Sequence, residues 1–165
     1  AKLRDEGRNV TLRIAGEDDA GGTGYRKTLE ARIREQGLGD AVTLLGAIDA
    51  DAVRSELLSA HIFVLASFGE PLGVAYMEAM SCEVPTIGTN AGGVPELITD
   101  GQDGRLVPPR DPDALAAAIA EIADTPVLAT RLARQGRTRI VEGFGAGRGA
   151  EALIKGAFGD HVSGS

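Results

Sequence analysis

The chain has 165 residues, of which 43% are hydrophobic and 25% are charged, so it is long and apolar enough to bury a sizeable core. Its formal net charge of −7 argues against broad nucleic-acid binding, which needs a basic face. The one cysteine, Cys82, excludes an intrachain disulfide, and no apolar stretch approaches the ~20 residues of a membrane span, so we expect a protein of the reducing cytoplasm.

Predicted strands and helices alternate along the chain. In chain order the pattern predicts the last turns of a helix at 1–7, a strand at 10–15, a helix at 25–36, a strand at 42–45, a helix at 52–59, a strand at 61–66, a helix at 73–81, a strand at 84–87, one helical turn at 94–98, a strand at 104–107, and helices at 112–124, 127–142 and near 150–158. The run 61–66 is continuously apolar, which is typical of a strand buried on both faces of a parallel sheet. This alternation predicts an α/β fold with a doubly wound parallel sheet.

We predict one domain over residues 1–145, with a helical tail at 146–165 whose end is disordered. In a doubly wound sheet, ligands bind beyond the carboxyl ends of the strands. The strand ends at Gly16, at 46–48 and at 67–73 are therefore predicted to converge on one site.

The segment 67–104 is the most informative part of the sequence. It starts where an apolar strand ends, and it places Glu70, a Pro-Leu-Gly turn that ends at Gly73, and then Glu78. A strand end, a glycine-bearing turn and a helix start together form a seat for a phosphate group. Carboxylates beside that seat can accept hydrogen bonds from sugar or ribose hydroxyls. The pattern therefore predicts a nucleotide-sugar site.

This segment resembles the C-terminal half of the retaining glycosyltransferases of family 4, which have the GT-B fold. The residues that match the family's signature are Ser67, Glu70, Gly73, Glu78, Ala79, Met80 and Pro85, and then Gly92, Gly93, Glu96, Leu97 and Ile98. The similarity covers most of residues 10–144. It implies a Rossmann-like domain of a metal-independent hexosyltransferase, which uses a nucleotide diphosphate sugar as its donor and needs no cofactor.

The resemblance also implies a role for each residue of the site. Glu78 holds the ribose of the nucleotide. Glu70, the candidate catalytic residue, faces the donor sugar and helps to stabilise positive charge at the anomeric carbon. The backbone N–H groups of Leu72 and Gly73 face the diphosphate. The alternative interpretations are a solvated helix residue for Glu78, an acid favoured by the helix dipole for Glu70, and a simple turn at 71–73.

Two further residues belong to the implied donor site. Gly16 lets the nucleotide approach the edge of the sheet, and Ile48 packs on the base. A simple turn is nearly as good an interpretation of Gly16. No metal ligand is expected, because the two Asp-x-Asp patterns at 49–51 and 111–113 each precede a helix and are better explained as helix caps. His61 is interpreted as structural.

The sequence departs from the family pattern in two ways. Glu83 stands where the family usually has glycine, so a positive φ there would strain the backbone. The family's Arg and Lys, which neutralise the donor diphosphate, would precede Ala1, as would the N-terminal domain that carries the acceptor site. We therefore expect the chain to be a truncated half that binds its donor weakly and is inactive alone.

Other functions remain open at this stage. A nucleotide-sugar epimerase of the same fold would need more histidines than the two present. A non-enzymatic nucleotide-binding module is the remaining alternative. A signalling receiver domain is rejected, because this chain lacks the Asp and the Lys that such a domain requires. The acceptor could be a saccharide, a lipid or a small molecule. We expect the protein in the cytoplasm, either free or peripheral at the inner face of the membrane.

Overall fold

The computed structural model describes residues 1–17, 24–67 and 73–143. The helices are α1 (Lys2–Asp5), α2 (Tyr25–Glu35), α3 (Ala50–Ser59), α4 (Val74–Ser81), α5 (Val94–Leu97), α6 (Pro112–Asp124) and α7 (Pro126–Gly143). The strands are β1 (Leu12–Ala15), β2 (Val42–Gly46), β3 (Phe63–Leu65), β4 (Thr86–Thr89) and β5 (Arg105–Val107). The predicted alternation of strands and helices is confirmed over these residues.

The strands form two parallel sheets. Strand β1 pairs with β2, and a three-stranded sheet has the order β3-β4-β5. The register places Leu65 opposite Gly88 and Thr89 opposite Val107. Every described pairing between named strands is parallel, so the predicted α/β class is confirmed.

The described residues divide into two compact units, Ala1–Glu56 and Leu57–Ser165. Each unit contains one of the two sheets. The predicted domain at 1–145 and the helical tail at 146–165 stay predictions, since the tail lies outside the described residues.

Strand β4 shows why the second unit has helices on both faces of its sheet. All four of its residues are buried. Ile87 packs in a core cluster with residues of β5, α6 and α7, whereas a Cβ at the next position, Gly88, would contact Tyr76 of α4 and Val94 of α5. Because successive side chains of a strand point to opposite faces, helices must cover both sides.

Helix α6 begins as the sequence predicts. Asp111 is its N-cap, and its carboxylate accepts a hydrogen bond of 2.8 Å from the backbone N–H of Ala114. Pro112 occupies the first helical position, where its missing N–H costs nothing. Ala118 and Ile122, one turn apart, then face the core.

Several predicted element bounds need correction, among them the start of β1, which lies at Leu12 rather than at 10. Strand β3 is shorter than 61–66 and only half-buried, because it is an edge strand of the described sheet. Strand β4 starts at Thr86 rather than at 84, since Pro85 has no N–H to donate to a ladder. Helix α3 starts at Ala50, two residues before the predicted position.

In the first unit, strand β1 is joined to helix α3 by an ion pair. The guanidinium of Arg13 donates two hydrogen bonds to the carboxylate of Glu56, of 2.5 and 2.7 Å. The hydrogen bond from Arg13 holds the pKa of Glu56 below its ordinary value, and the same bond raises the pKa of Arg13.

None of the described helices is long and apolar enough to cross a membrane.

Candidate functional site

The start of α4 is fixed by Gly73. This buried residue is the N-cap and has a left-handed backbone, with φ of 63° and ψ of 22°. A Cβ at this position would lie 3.0 Å from Cδ2 of Leu97. Both the backbone conformation and the packing therefore require glycine. Gly73 therefore lies at the helix start as predicted, whereas the other two residues of the predicted turn, 71 and 72, lie outside the described residues.

Glu78 lies in the second turn of α4 and is exposed to solvent. Its helical neighbours Tyr76, Ala79 and Met80 are completely buried. Within the part of the chain that the structure describes, the Glu78 carboxylate has no hydrogen bond or ion pair. Both oxygens can therefore accept hydrogen bonds from a pair of hydroxyl groups.

Two predicted site residues, Glu70 and Leu72, fall in 68–72, outside the described residues. Their proposed contacts with the donor sugar and the diphosphate are untested. The structure describes both flanks of this stretch, at Ser67 and at Gly73.

The carboxyl end of the three-stranded sheet carries two buried hydroxyl groups. The hydroxyl of Tyr76 donates a hydrogen bond of 2.6 Å to the carbonyl of Leu65, the last residue of β3. The hydroxyl of Thr89, at the end of β4, donates to the carbonyl of Ser67. Sequence reasoning missed both, because a tyrosine inside a helix and a threonine inside a strand are common core residues.

Gly16 belongs to the first unit, just beyond β1. Its φ is +133°, and its N–H donates a hydrogen bond of 2.9 Å to the carbonyl of Gly46. No described atom lies within 4 Å of the position that a Cβ would occupy. The backbone conformation at position 16 therefore requires glycine. No atom of the described residues fills the space beside it.

Ile48, the predicted base contact, lies in the loop that connects β2 to α3, and it is half-buried. The strand before it ends at Gly46, which also has a positive φ, of 71°. A Cβ at Gly46 would lie 2.9 Å from the carboxylate of Glu17. Gly16 and Ile48 belong to one unit, and Gly73 and Glu78 belong to the other.

An ion pair that the sequence did not reveal lies beside the end of β2. Arg26, in the first turn of α2, approaches the carboxylate of Glu17 at 3.3 Å and that of Glu30 at 3.1 Å. The contact with Glu30 follows from helical i,i+4 spacing, which a sequence reveals. The contact with Glu17 depends on the fold.

The two Asp-x-Asp patterns act as helix caps. The carboxylate of Asp49 accepts a hydrogen bond of 2.8 Å from the N–H of Ala52, as Asp111 does at α6. Asp51 lies inside α3, because that helix starts earlier than predicted. No group of three or more His, Cys, Asp or Glu residues in the described ranges could hold a metal ion. His61 is exposed, in the bend before β3, and does not open a buried strand as predicted.

The comparisons with known proteins agree with these elements. The family model described as Glycosyl transferases group 1 matches residues 1–139. Alpha-D-kanosaminyltransferase from Streptomyces kanamyceticus is 34% identical over 133 residues, which are 81% of this chain and 33% of that protein. The chain spans about a third of the length of the curated relatives it matches.

Solved structures share the fold. The C-terminal domain of a glycosyl transferase group 1 family protein (LpcC) from Francisella tularensis is 26% identical, with a TM-score of 0.77 over 87% of this chain and 74% of that one. Anabaena Alr3699/HepE in complex with UDP-glucose is 26% identical, with a TM-score of 0.80 over 87% of this chain and 40% of that one. The parallel sheets and flanking helices thus match a Rossmann-like C-terminal domain of the GT-B fold.

Proposed function

Because this chain belongs to the glycosyl transferases group 1 family, we propose that it forms the donor-binding half of a retaining glycosyltransferase of family 4. The whole enzyme transfers a sugar from a nucleotide diphosphate sugar to an acceptor. Two findings support this proposal. Relatives such as Alpha-D-kanosaminyltransferase are named for sugar transfer, and Alr3699/HepE has been solved with UDP-glucose.

One observation carries the proposal more than any other. Glu78 presents an exposed carboxylate from a helix in which Tyr76, Ala79 and Met80 are buried, and the start of that helix is fixed by Gly73. A ribose diol offers two hydroxyl donors to a carboxylate held in this way. We therefore assign the ribose to Glu78.

The remaining roles follow the family pattern. The N–H groups of Leu72 and Gly73 bind the diphosphate, because a helix start favours negative charge. Glu70 faces the donor sugar, where a fixed anion stabilises the positive charge that develops at the anomeric carbon. Gly16 and Ile48 receive the nucleoside end of the donor, consistent with the open space beside Gly16. The reaction proceeds without a metal.

The isolated chain binds its donor weakly and does not transfer sugar. A nucleotide diphosphate is strongly anionic, and charge-assisted contacts dominate its binding. This chain has a net charge of −7, so its overall field does not favour an anionic ligand. A further domain supplies the acceptor site.

Titration with UDP, GDP and ADP tests the proposal. We expect one of the three to bind the 165-residue chain, and we expect Glu78→Gln to raise its dissociation constant about tenfold, because hydrogen bonds to a charged group contribute roughly 1.5–3 kcal/mol. Calorimetry or ligand-observed NMR measures the affinity.

Glu142→Gln is the matched control, since Glu142 is another exposed helical glutamate of the second unit. It should leave the affinity unchanged. The absence of binding by all three nucleotides, or equal effects of the two substitutions, would contradict the donor site. Binding without sugar transfer, even when the chain is extended by its upstream domain, would favour a non-enzymatic nucleotide-binding module.

A further inference from the structure

The chain leaves the sheet after β3 along a path held by two side-chain hydroxyls. Tyr76 is fully buried, and its hydroxyl reaches the carbonyl of Leu65 at 2.6 Å. Thr89 is only 3% exposed, and its hydroxyl donates to the carbonyl of Ser67. The two acceptors are two residues apart, and the second lies beyond the end of the strand. Backbone carbonyl groups need hydrogen-bond donors, and here side chains supply them.

The two donors come from different elements. Tyr76 lies in the first turn of α4, three residues after Gly73, and Thr89 ends β4. The hydrogen bond from Tyr76 therefore joins the start of α4 directly to the end of β3. It brackets the stretch between Leu65 and Gly73, which carries Glu70.

The packing around Tyr76 shows that this position is built for a large ring. The ring meets Phe63 edge-on, with centroids 6.0 Å apart. On β4, a Cβ at Gly88 would lie 2.9 Å from Cε1 of Tyr76 and 3.1 Å from its hydroxyl oxygen. The absence of a side chain at Gly88 leaves the space that the tyrosine ring and its hydroxyl fill.

We propose that Tyr76 and Thr89 are positioning residues of the donor site, whose hydroxyls fix the exit of the chain from β3 relative to the start of α4. This inference rests on the proposed function. Neither residue touches the donor. They act through the backbone at Leu65 and Ser67 and through the start of α4, so their loss weakens nucleotide binding more than an equal loss of stability elsewhere.

Strand β4 contains a matched control for this proposal. Thr86 has the same residue type and nearly the same burial as Thr89, and its hydroxyl also donates to a backbone carbonyl, that of Val84, at 2.9 Å. It lies at the opposite, amino end of the strand. Thr86→Val and Thr89→Val therefore remove equivalent hydrogen bonds from opposite ends of one element.

The test compares Thr89→Val and Tyr76→Phe with Thr86→Val in the full chain. Urea unfolding should show similar losses of stability in all three. Affinity is measured with the nucleotide, among UDP, GDP and ADP, that binds the unmodified chain. Its dissociation constant should rise about fivefold more in Thr89→Val and Tyr76→Phe than in Thr86→Val, because each of these two variants loses one hydrogen bond of the positioning pair. Equal affinities for Thr89→Val and Thr86→Val would overturn the proposal.

A second measurement separates this inference from the proposed function. The N–H of Met77 bonds to the carbonyl of Gly73 and so reports on the start of α4. In the ligand-free chain, hydrogen exchange at Met77 should be faster in Thr89→Val and Tyr76→Phe than in Thr86→Val. If no nucleotide binds but exchange at Met77 responds, the proposed function fails while the positioning contact stands. If nucleotide binds and exchange is the same in all variants, the positioning role fails alone.

Discussion

Glu83 is one of two non-glycine residues in the described ranges that have a positive φ, the other being Arg110. The φ of Glu83 is 55°, in the left-handed region where glycine is favoured, so the condition under which strain is predicted at this position is met. The residue lies in the turn between α4 and β4, where its N–H donates to the carbonyl of Met80. Its carboxylate approaches Arg137 at 3.6 Å, but both side chains are about half-exposed, and such pairs contribute little.

We expect Glu83→Gly to stabilise the second unit by about 0.5–1 kcal/mol. Relief of a left-handed conformation is worth roughly 1–2 kcal/mol, and the greater freedom of glycine in the unfolded chain costs about 0.5–1 kcal/mol. Urea unfolding measures the difference. Glu83→Ala is the control, because it removes the contact with Arg137 but keeps the Cβ. A variant with glycine that is less stable than the one with alanine would refute this explanation.

At the scale of elements, the contact between β1 and α3 depends on a charge. Arg13 and Glu56 form a two-bond ion pair between a strand and a helix that are separated by more than 40 residues along the chain. The hydrogen bond from Arg13 lowers the pKa of the Glu56 carboxyl in the folded state. A carboxyl group with a lowered pKa stabilises the fold at any pH above its pKa in the unfolded state, which is about 4.3 for glutamate. This stabilisation is lost as the pH falls through the pKa of the folded state.

The coupling between Arg13 and Glu56 should therefore depend on pH. We expect Arg13→Gln, Glu56→Gln and the double variant to show a favourable coupling free energy at pH 7 that is smaller at pH 3. Urea unfolding of the four proteins at both pH values gives this double-mutant cycle. A coupling that stays the same at both pH values would show that packing, not charge, joins the two elements.

At the scale of the whole molecule, the apolar core is unevenly distributed. Both core clusters lie in the second unit. In the first unit Ala41 is the one buried apolar residue of the described ranges. Regions with few buried apolar contacts open locally at low free-energy cost.

Native-state hydrogen exchange should accordingly separate the two units. We expect the amides of β1 and β2 to exchange faster than those of β4, and mild urea to open Ala1–Glu56 before Leu57–Ser165. Mass spectrometry of peptides from each sheet measures the rates. Equal protection of the two sheets, with one common response to urea, would contradict independent opening of the first unit.

Much of the fold could be predicted from the sequence because its signals are local. Hydrophobic periodicity predicts the helices and strands, and Asp111 with Pro112 predicts the start of α6. Errors arose where pairing decides the outcome. The apolar run at 61–66 indicates a buried strand, yet burial depends on how many neighbours a strand has, and β3 has one among the described residues.

For the site, the sequence by itself predicted which residues bind a nucleotide-sugar, since a motif specifies residue types at fixed spacing, and this assignment stays a prediction. It also determined that Gly73 opens a helix and that Glu78 lies in it. Only the tertiary structure revealed that Tyr76 and Thr89 hold the exit of β3, that Gly88 provides the space for Tyr76, and that Arg26 meets Glu17. These contacts join residues from different elements, and the distance between such residues is set by packing rather than by their order in the chain.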